Sequence, residues 1–189
     1  MRKNRDHSTR RSRVVGVALP CVAAAAVLAG ACPARAQLRS PYEAQVQVGA
    51  SLGIHGAPGQ LHLGFEFGGD PSRMVSFILP FELGLGGGMT RLQLEPGAEG
   101  HFRLISGQPL YLVPRAGLGF GALTGCCSGG GSDFALALNA GLELRYVIKD
   151  NVASASFQPV RFDVYPVGTN QSGAVPVWYA LLVGATATF

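Results

Sequence analysis

From Tyr42 to Phe189, apolar side chains recur at every second position, and no segment of this stretch carries a helical stripe. A period of two gives an extended chain one greasy and one wet face, so the stretch reads as strands. Tyr42–Ile54 sets Tyr42, Ala44, Val46, Val48, Ala50, Leu52 and Ile54 against Glu43, Gln45, Gln47, Gly49, Ser51 and Gly53. The pattern returns around Leu61–Phe67, Val75–Leu85, Arg91–Leu104, Leu110–Gly121, Phe134–Ile148, Ala153–Val164 and Val175–Phe189. Between Phe157 and Val160 the apolar phase switches, which predicts a β-bulge near Gln158-Pro159. The connections are short and carry turn residues: 55–59, 69–73, 87–90, 106–109, 124–133, 149–151 and 167–173. The predicted fold class is therefore all-β, an eight-stranded antiparallel up-and-down barrel with no second domain.

Alternation alone does not say which face is outside. A soluble barrel turns its apolar face inward; a membrane barrel turns it toward lipid. Three features favour the transmembrane form. Residues 37–189 contain one lysine, Lys149, where a water-facing wall would carry several. Glycine crowds the polar face (Gly49, Gly64, Gly84, Gly117, Gly119, Gly121, Gly141), which suits a cramped lumen. Phe189 falls in phase inside the last strand.

The polar face then becomes a side-chain-filled lumen. It carries the acids Glu43, Glu66, Glu82, Glu95, Glu99, Glu143 and Asp163, the arginines Arg91, Arg103, Arg115, Arg145 and Arg161, and His55, His62 and His101. Unpaired burial of such groups is costly, so an interstrand ion-pair network is expected. Glu143 and Arg145 are expected to meet Arg161 and Asp163 across their hairpin. The network reads as a structural plug, with an ion- or proton-conducting path as the alternative. Pro80, Pro96, Pro114 and Pro159 fall inside strands and each lacks a ladder donor, so bulges are expected there and the nearby registers stay open.

Residues 1–36 differ in kind. Seven basic residues (Arg2, Lys3, Arg5, Arg10, Arg11, Arg13, Arg35) oppose Asp6, a net +6, while 37–189 is net −2. The basic charge thus sits in a leader, which excludes a nucleic-acid binder as the default. Val14–Cys32 is almost wholly apolar and is followed by Pro33-Ala34-Arg35-Ala36. This reads as a secretory signal peptide cleaved after Ala36, leaving 37–189 as the barrel domain. An uncleaved anchor and a lipoprotein at Cys32 are the weaker readings. Only Cys126 and Cys127 remain beyond the leader, adjacent in a Gly/Ser-rich loop, as a vicinal disulfide, an intermolecular bond or two idle thiols.

No motif carries convincing chemistry. Gly49-Ala50-Ser51-Leu52-Gly53 matches G-x-S-x-G, but no helix follows, so Ser51 is not positioned as a nucleophile. Gly117–Gly121 likewise lacks a helix on which to cradle phosphate. No cofactor or metal motif is present, and no catalytic residue is assigned.

The ending Leu182-Val-Gly-Ala-Thr-Ala-Thr-Phe189 resembles the C-terminal assembly signal of bacterial outer-membrane barrels. Gly184 and Phe189 match its glycine and terminal aromatic, whereas Ala187 is not aromatic and Leu182 replaces the usual polar residue. Together with the leader and strands, the chain resembles the small OmpA/OmpX-type barrels over 37–189. That resemblance implies outer-membrane lipid and the β-barrel assembly machinery as partners, in a Gram-negative envelope. Small outer-membrane barrels include lipid A deacylases and acyltransferases, so a lipid-modifying enzyme is one alternative; a soluble periplasmic ligand-binding barrel is another. Neither displaces a non-enzymatic structural or envelope-interaction role as the main expectation.

Overall fold

The computed structural model describes residues 42–54, 57–69, 73–125, 131–149, 152–168 and 175–189. The leader, His55 and Cys126-Cys127 lie outside the described residues. The strands are β1 (Glu43–Ile54), β2 (Gln60–Gly68), β3 (Val75–Gly86), β4 (Met89–Leu94), β5 (Gly97–Gly100), β6 (Phe102–Arg103), β7 (Leu110–Thr124), β8 (Ser132–Lys149), β9 (Ala153–Gly168) and β10 (Val177–Thr188). Every pairing is antiparallel. β4, β5 and β6 succeed one another along a single stave between β3 and β7, and β1 pairs both β2 and β10. The sheet therefore closes on itself as an eight-stave barrel, leaving no free edge.

The polar face is inside. Gln93 and Glu95 are 2% and 0% exposed, while Leu94 between them is 45% exposed. Along β8, Glu143 and Arg145 are buried and Phe134, Leu138, Tyr146 and Ile148 stand outward. A wall that is apolar outside and polar inside is what lipid demands of a closed barrel.

The bulge falls where the phase switch placed it. Leu182 pairs Gln158 and Ala180 pairs Arg161, so Pro159 and Val160 together oppose Leu181. Ser154, Ser156 and Gln158 point inward before it, and Arg161, Asp163 and Tyr165 after it. The Tyr179 hydroxyl donates to the Pro159 carbonyl, pinning the extra residue.

Pro80 and Pro114 need no bulge, contrary to expectation: each keeps its register, Pro80 opposite Glu66 and Pro114 opposite Leu142. The reason lies in the interrupted stave. A residue's N–H and C=O point to the same neighbouring strand, and the Pro80 carbonyl accepts from Glu95 N at 3.3 Å, beside the β4–β5 break. Leu110 and Leu118 bond toward this stave, and Pro114 shares their parity, facing the β5–β6 break. Both prolines thus turn their missing donor to the one stave that Pro96 has already broken.

The tightest connection is Gly87-Gly88, between the paired Gly86 and Met89, with φ of 60° and 78°. Two successive positive φ values define the hairpin turn that matches strand twist, and glycine adopts them freely. At this end of the barrel, away from Glu43 and Thr188, Leu123, Ala135, Ala137, Tyr165 and Trp178 form an apolar cluster inside the lumen, with Ala57 and Met89 packed against it. The alternation pattern gave no sign of this plug.

Deleting Pro159 removes the bulge and turns one half of β9 inside out, so the folded, heat-modifiable gel band should vanish. Pro159→Ala keeps the extra residue and should shift urea-unfolding stability by less than ~1 kcal/mol. Equal folded yields for deletion and substitution would contradict the register.

Candidate functional site

Inward alternation puts most of the strands' charge in the lumen, where it gathers mainly into two clusters. In the half nearest Glu43 and Thr188, Arg145 is the centre. Its Nε donates to Glu143 at 2.8 Å, Nη1 to Glu43 at 3.1 Å and Nη2 to Glu99 at 3.1 Å. Arg115 donates to Glu143 at 2.9 Å and also to Glu66. Gln45 donates to the Glu143 carboxylate at 3.3 Å and to Ser156 at 2.8 Å. His101 closes this end, with one ring nitrogen 2.9 Å from Glu99 and the other 2.9 Å from the Arg73 carbonyl.

The second cluster centres on Arg161. It meets Asp163 at 2.8 Å, Glu82 through both terminal nitrogens, and Glu95 at 3.1 Å. Arg91 lies 3.1 Å from Asp163 and 3.1 Å from His62 Nδ1. Gln93 and Asn139 donate to Glu95 at 3.0 and 2.7 Å. Above this layer, the Arg91 guanidinium sits 5.0 Å from the Trp178 ring centre, and Trp178 Nε1 donates to Pro58 O at 3.0 Å. The cation–π contact joins the charged layer to the apolar plug.

Glycines supply the floor space. A Cβ on Gly121 would strike the Tyr165 ring, one on Gly141 the Gln158 amide, and one on Gly84 the Gln60 side chain and Arg91. These three inward glycines thus leave room for a neighbour's long side chain.

The structure places Glu82, Arg91, Glu95, Glu99, His101, Arg115, Glu143, Arg145, Arg161 and Asp163 on the lumen side. Two expectations fail. Arg103 is exposed at the rim, stacked 5.4 Å from the Tyr111 ring and donating to its hydroxyl at 2.8 Å. Glu143 and Arg145 do not meet Arg161 and Asp163; Arg145 pairs with Ser156, whereas Arg161 and Asp163 pair with Gly141 and Asn139. Antiparallel pairing counts outward from the turn, so Arg161 sits two inward steps farther along the lumen. The expected network left out Gln45, Gln93, Asn139, Tyr165 and Trp178, although the strand pattern already put Gln45, Gln93 and Asn139 on the polar face.

Two carboxylate–histidine groups have a metal-like spacing, Glu43/Glu99/His101 and His62/Glu82/Asp163. Guanidinium groups already fill both. Arg145 Nη1 lies 3.1, 3.3 and 3.4 Å from Glu43, Glu99 and His101. Arg161 and Arg91 do the same for the second group. An ion would have to displace an internal cation.

No protein-family model matches the chain, and no curated protein matches its sequence. Solved structures match its fold. Neisserial surface protein A superimposes with a TM-score of 0.66 at 11% identity, over 79% of this chain and 98% of that one. The N-terminal barrel domain of Pseudomonas aeruginosa OprF gives 0.50 at 18% identity, over 76% and 96%. The outer-membrane enzyme PagL gives 0.50 at 19% identity, over 75% and 97%. The fold is thus that of the small outer-membrane barrels.

Glu143 answers two arginines, so Glu143→Leu strands buried positive charge at roughly 3–5 kcal/mol. Leu142→Ala trims an outward side chain and should cost less in urea unfolding from micelles. The opposite order would mean that the faces are inverted.

Proposed function

We propose that this chain is an outer-membrane β-barrel, exported through a cleaved leader at 1–36, with a structural or envelope-interaction role and no catalytic centre. The observation that carries the reading is the division of its wall: charge sealed in the lumen, aromatic and aliphatic side chains outside. The lumen is filled by the two charged clusters and by the Tyr165–Trp178 plug, which supports a plug over a conducting path. A soluble ligand-binding barrel needs the reverse arrangement, with its apolar face inside.

The enzyme alternative rests on likeness to PagL in fold. Its chemistry would need histidine, serine and a carboxylate in contact at the lipid-facing wall. His62 meets Arg91 and Glu82, and His101 meets Glu99, Arg73 and Arg145; no serine hydroxyl is among these partners. We assign the closing segment to recognition by the insertion machinery. Gly184 lies inward opposite Gln47 and Phe189 is 54% exposed on the outer wall.

The test is fractionation with three readouts. The protein should stay with carbonate-washed membranes and leave only in detergent. It should give no steady conductance in planar bilayers, and its deletion should leave lipid A mass unchanged. A chain lacking Phe189 should lose most of its folded band. Release without detergent would contradict membrane placement, steady current the plug, a lipid A mass shift the non-enzymatic role, and normal folded yield without Phe189 the assembly assignment.

A further inference from the structure

A pocket of about 380 Å³ opens at the barrel rim nearest the Glu43 and Thr188 strand ends. Arg103, Gln108, Pro109, Tyr111, Tyr146 and Ile148 contribute to its lining. Its walls are built by the backbone. Val147 N donates to Pro109 O at 2.9 Å, and Leu104 N to Leu110 O at 3.0 Å, locking the 104–109 turn against the end of β8. Arg103 pairs in register with Tyr111, lies over its ring and donates to its hydroxyl. The other arginines of this face are at most 4% exposed, whereas Arg103 is exposed.

Each polar side chain of the pocket can donate: a guanidinium, two tyrosine hydroxyls and a glutamine amide; no carboxylate is among the described lining residues. That set suits a phosphate oxyanion, which a guanidinium binds through paired hydrogen bonds. The rim is greasy: Leu104, Ile105, Tyr146 and Ile148 are 46%, 53%, 49% and 66% exposed. Tyrosines beside an apolar belt mark the membrane–water boundary. A turn whose two leading residues are exposed Leu104 and Ile105 sits in that boundary rather than in open water.

We propose that this pocket binds a phosphate-bearing headgroup, with Arg103 and Tyr111 holding the phosphate and Tyr146 and Ile148 flanking the acyl chains. The ligand is a phospholipid rather than free phosphate, because the apolar rim would add nothing for an inorganic ion. The proposal rests on the membrane reading above.

The experiment is native mass spectrometry of the folded barrel released from neutral micelles. The probes are dioleoyl phosphatidylglycerol, dioleoylglycerol and inorganic phosphate. Phosphatidylglycerol adducts should survive on the wild type and fall about tenfold with Arg103→Gln. Arg103→Lys should retain part of them, and Tyr111→Phe supplies a second, smaller loss. Dioleoylglycerol should not bind, and inorganic phosphate should not displace the lipid at equal concentration. Equal adducts on wild type and Arg103→Gln, or equal dioleoylglycerol binding, would overturn the site. Displacement by equimolar phosphate would overturn the lipid assignment. A barrel that folds only in detergent yet binds none of the probes contradicts this pocket alone; a chain folding without detergent contradicts the membrane reading.

Discussion

Four buried guanidiniums hold this barrel to its shape. An eight-stave lumen has room for side chains and little else, so charge placed there must find its partner in protein. Each arginine forks to several staves. Arg145 on β8 reaches Glu43 on β1 and Glu99 on β5. Arg161 on β9 reaches Glu82 on β3 and Glu95 beside β4. These contacts cross the lumen, so they tie staves that share no backbone ladder. Removing a carboxylate therefore loosens the closed ring, beyond the loss of one pair.

The remaining features serve that crossing. Long polar side chains need floor space, which Gly84, Gly121 and Gly141 provide. The bulge at Pro159-Val160 lets one strand carry inward Ser156 and inward Arg161 without breaking the wall. The interrupted β4–β5–β6 stave absorbs the missing donors of its neighbours' prolines. Toward the far mouth Tyr165 and Trp178 follow the second cluster, and Arg91 joins the two by bonding to Asp163 below and stacking on Trp178 above.

The period-two pattern was enough to read the faces, because a side chain's side follows from parity alone. It was also enough for the bulge, since only an extra residue turns Phe157 and Val160 to the same face. What parity cannot supply is height. The stagger between strands decides whether Arg161 stands level with Glu143 or with Glu82, and that stagger is a property of the closed ring. Arg103 shows the same limit: its parity is that of the buried arginines, but it sits in the short β6 at the rim of the wall, paired with Tyr111, and is exposed. Trp178 and Tyr165 were hidden because an apolar residue on the polar face breaks the pattern that identified the strands.

The central claim is the division of faces, and the chain's single tryptophan tests it directly. Trp178 is 0% exposed inside the lumen, and Leu94 is 45% exposed on the outer wall. Fluorescence should be recorded in bilayers of acyl-brominated lipid, for the wild type and for Leu94→Trp. Wild-type emission should resist quenching by the bromines, and the second tryptophan should add a strongly quenched component. Quenching of Trp178 with the Leu94→Trp emission protected would contradict the account.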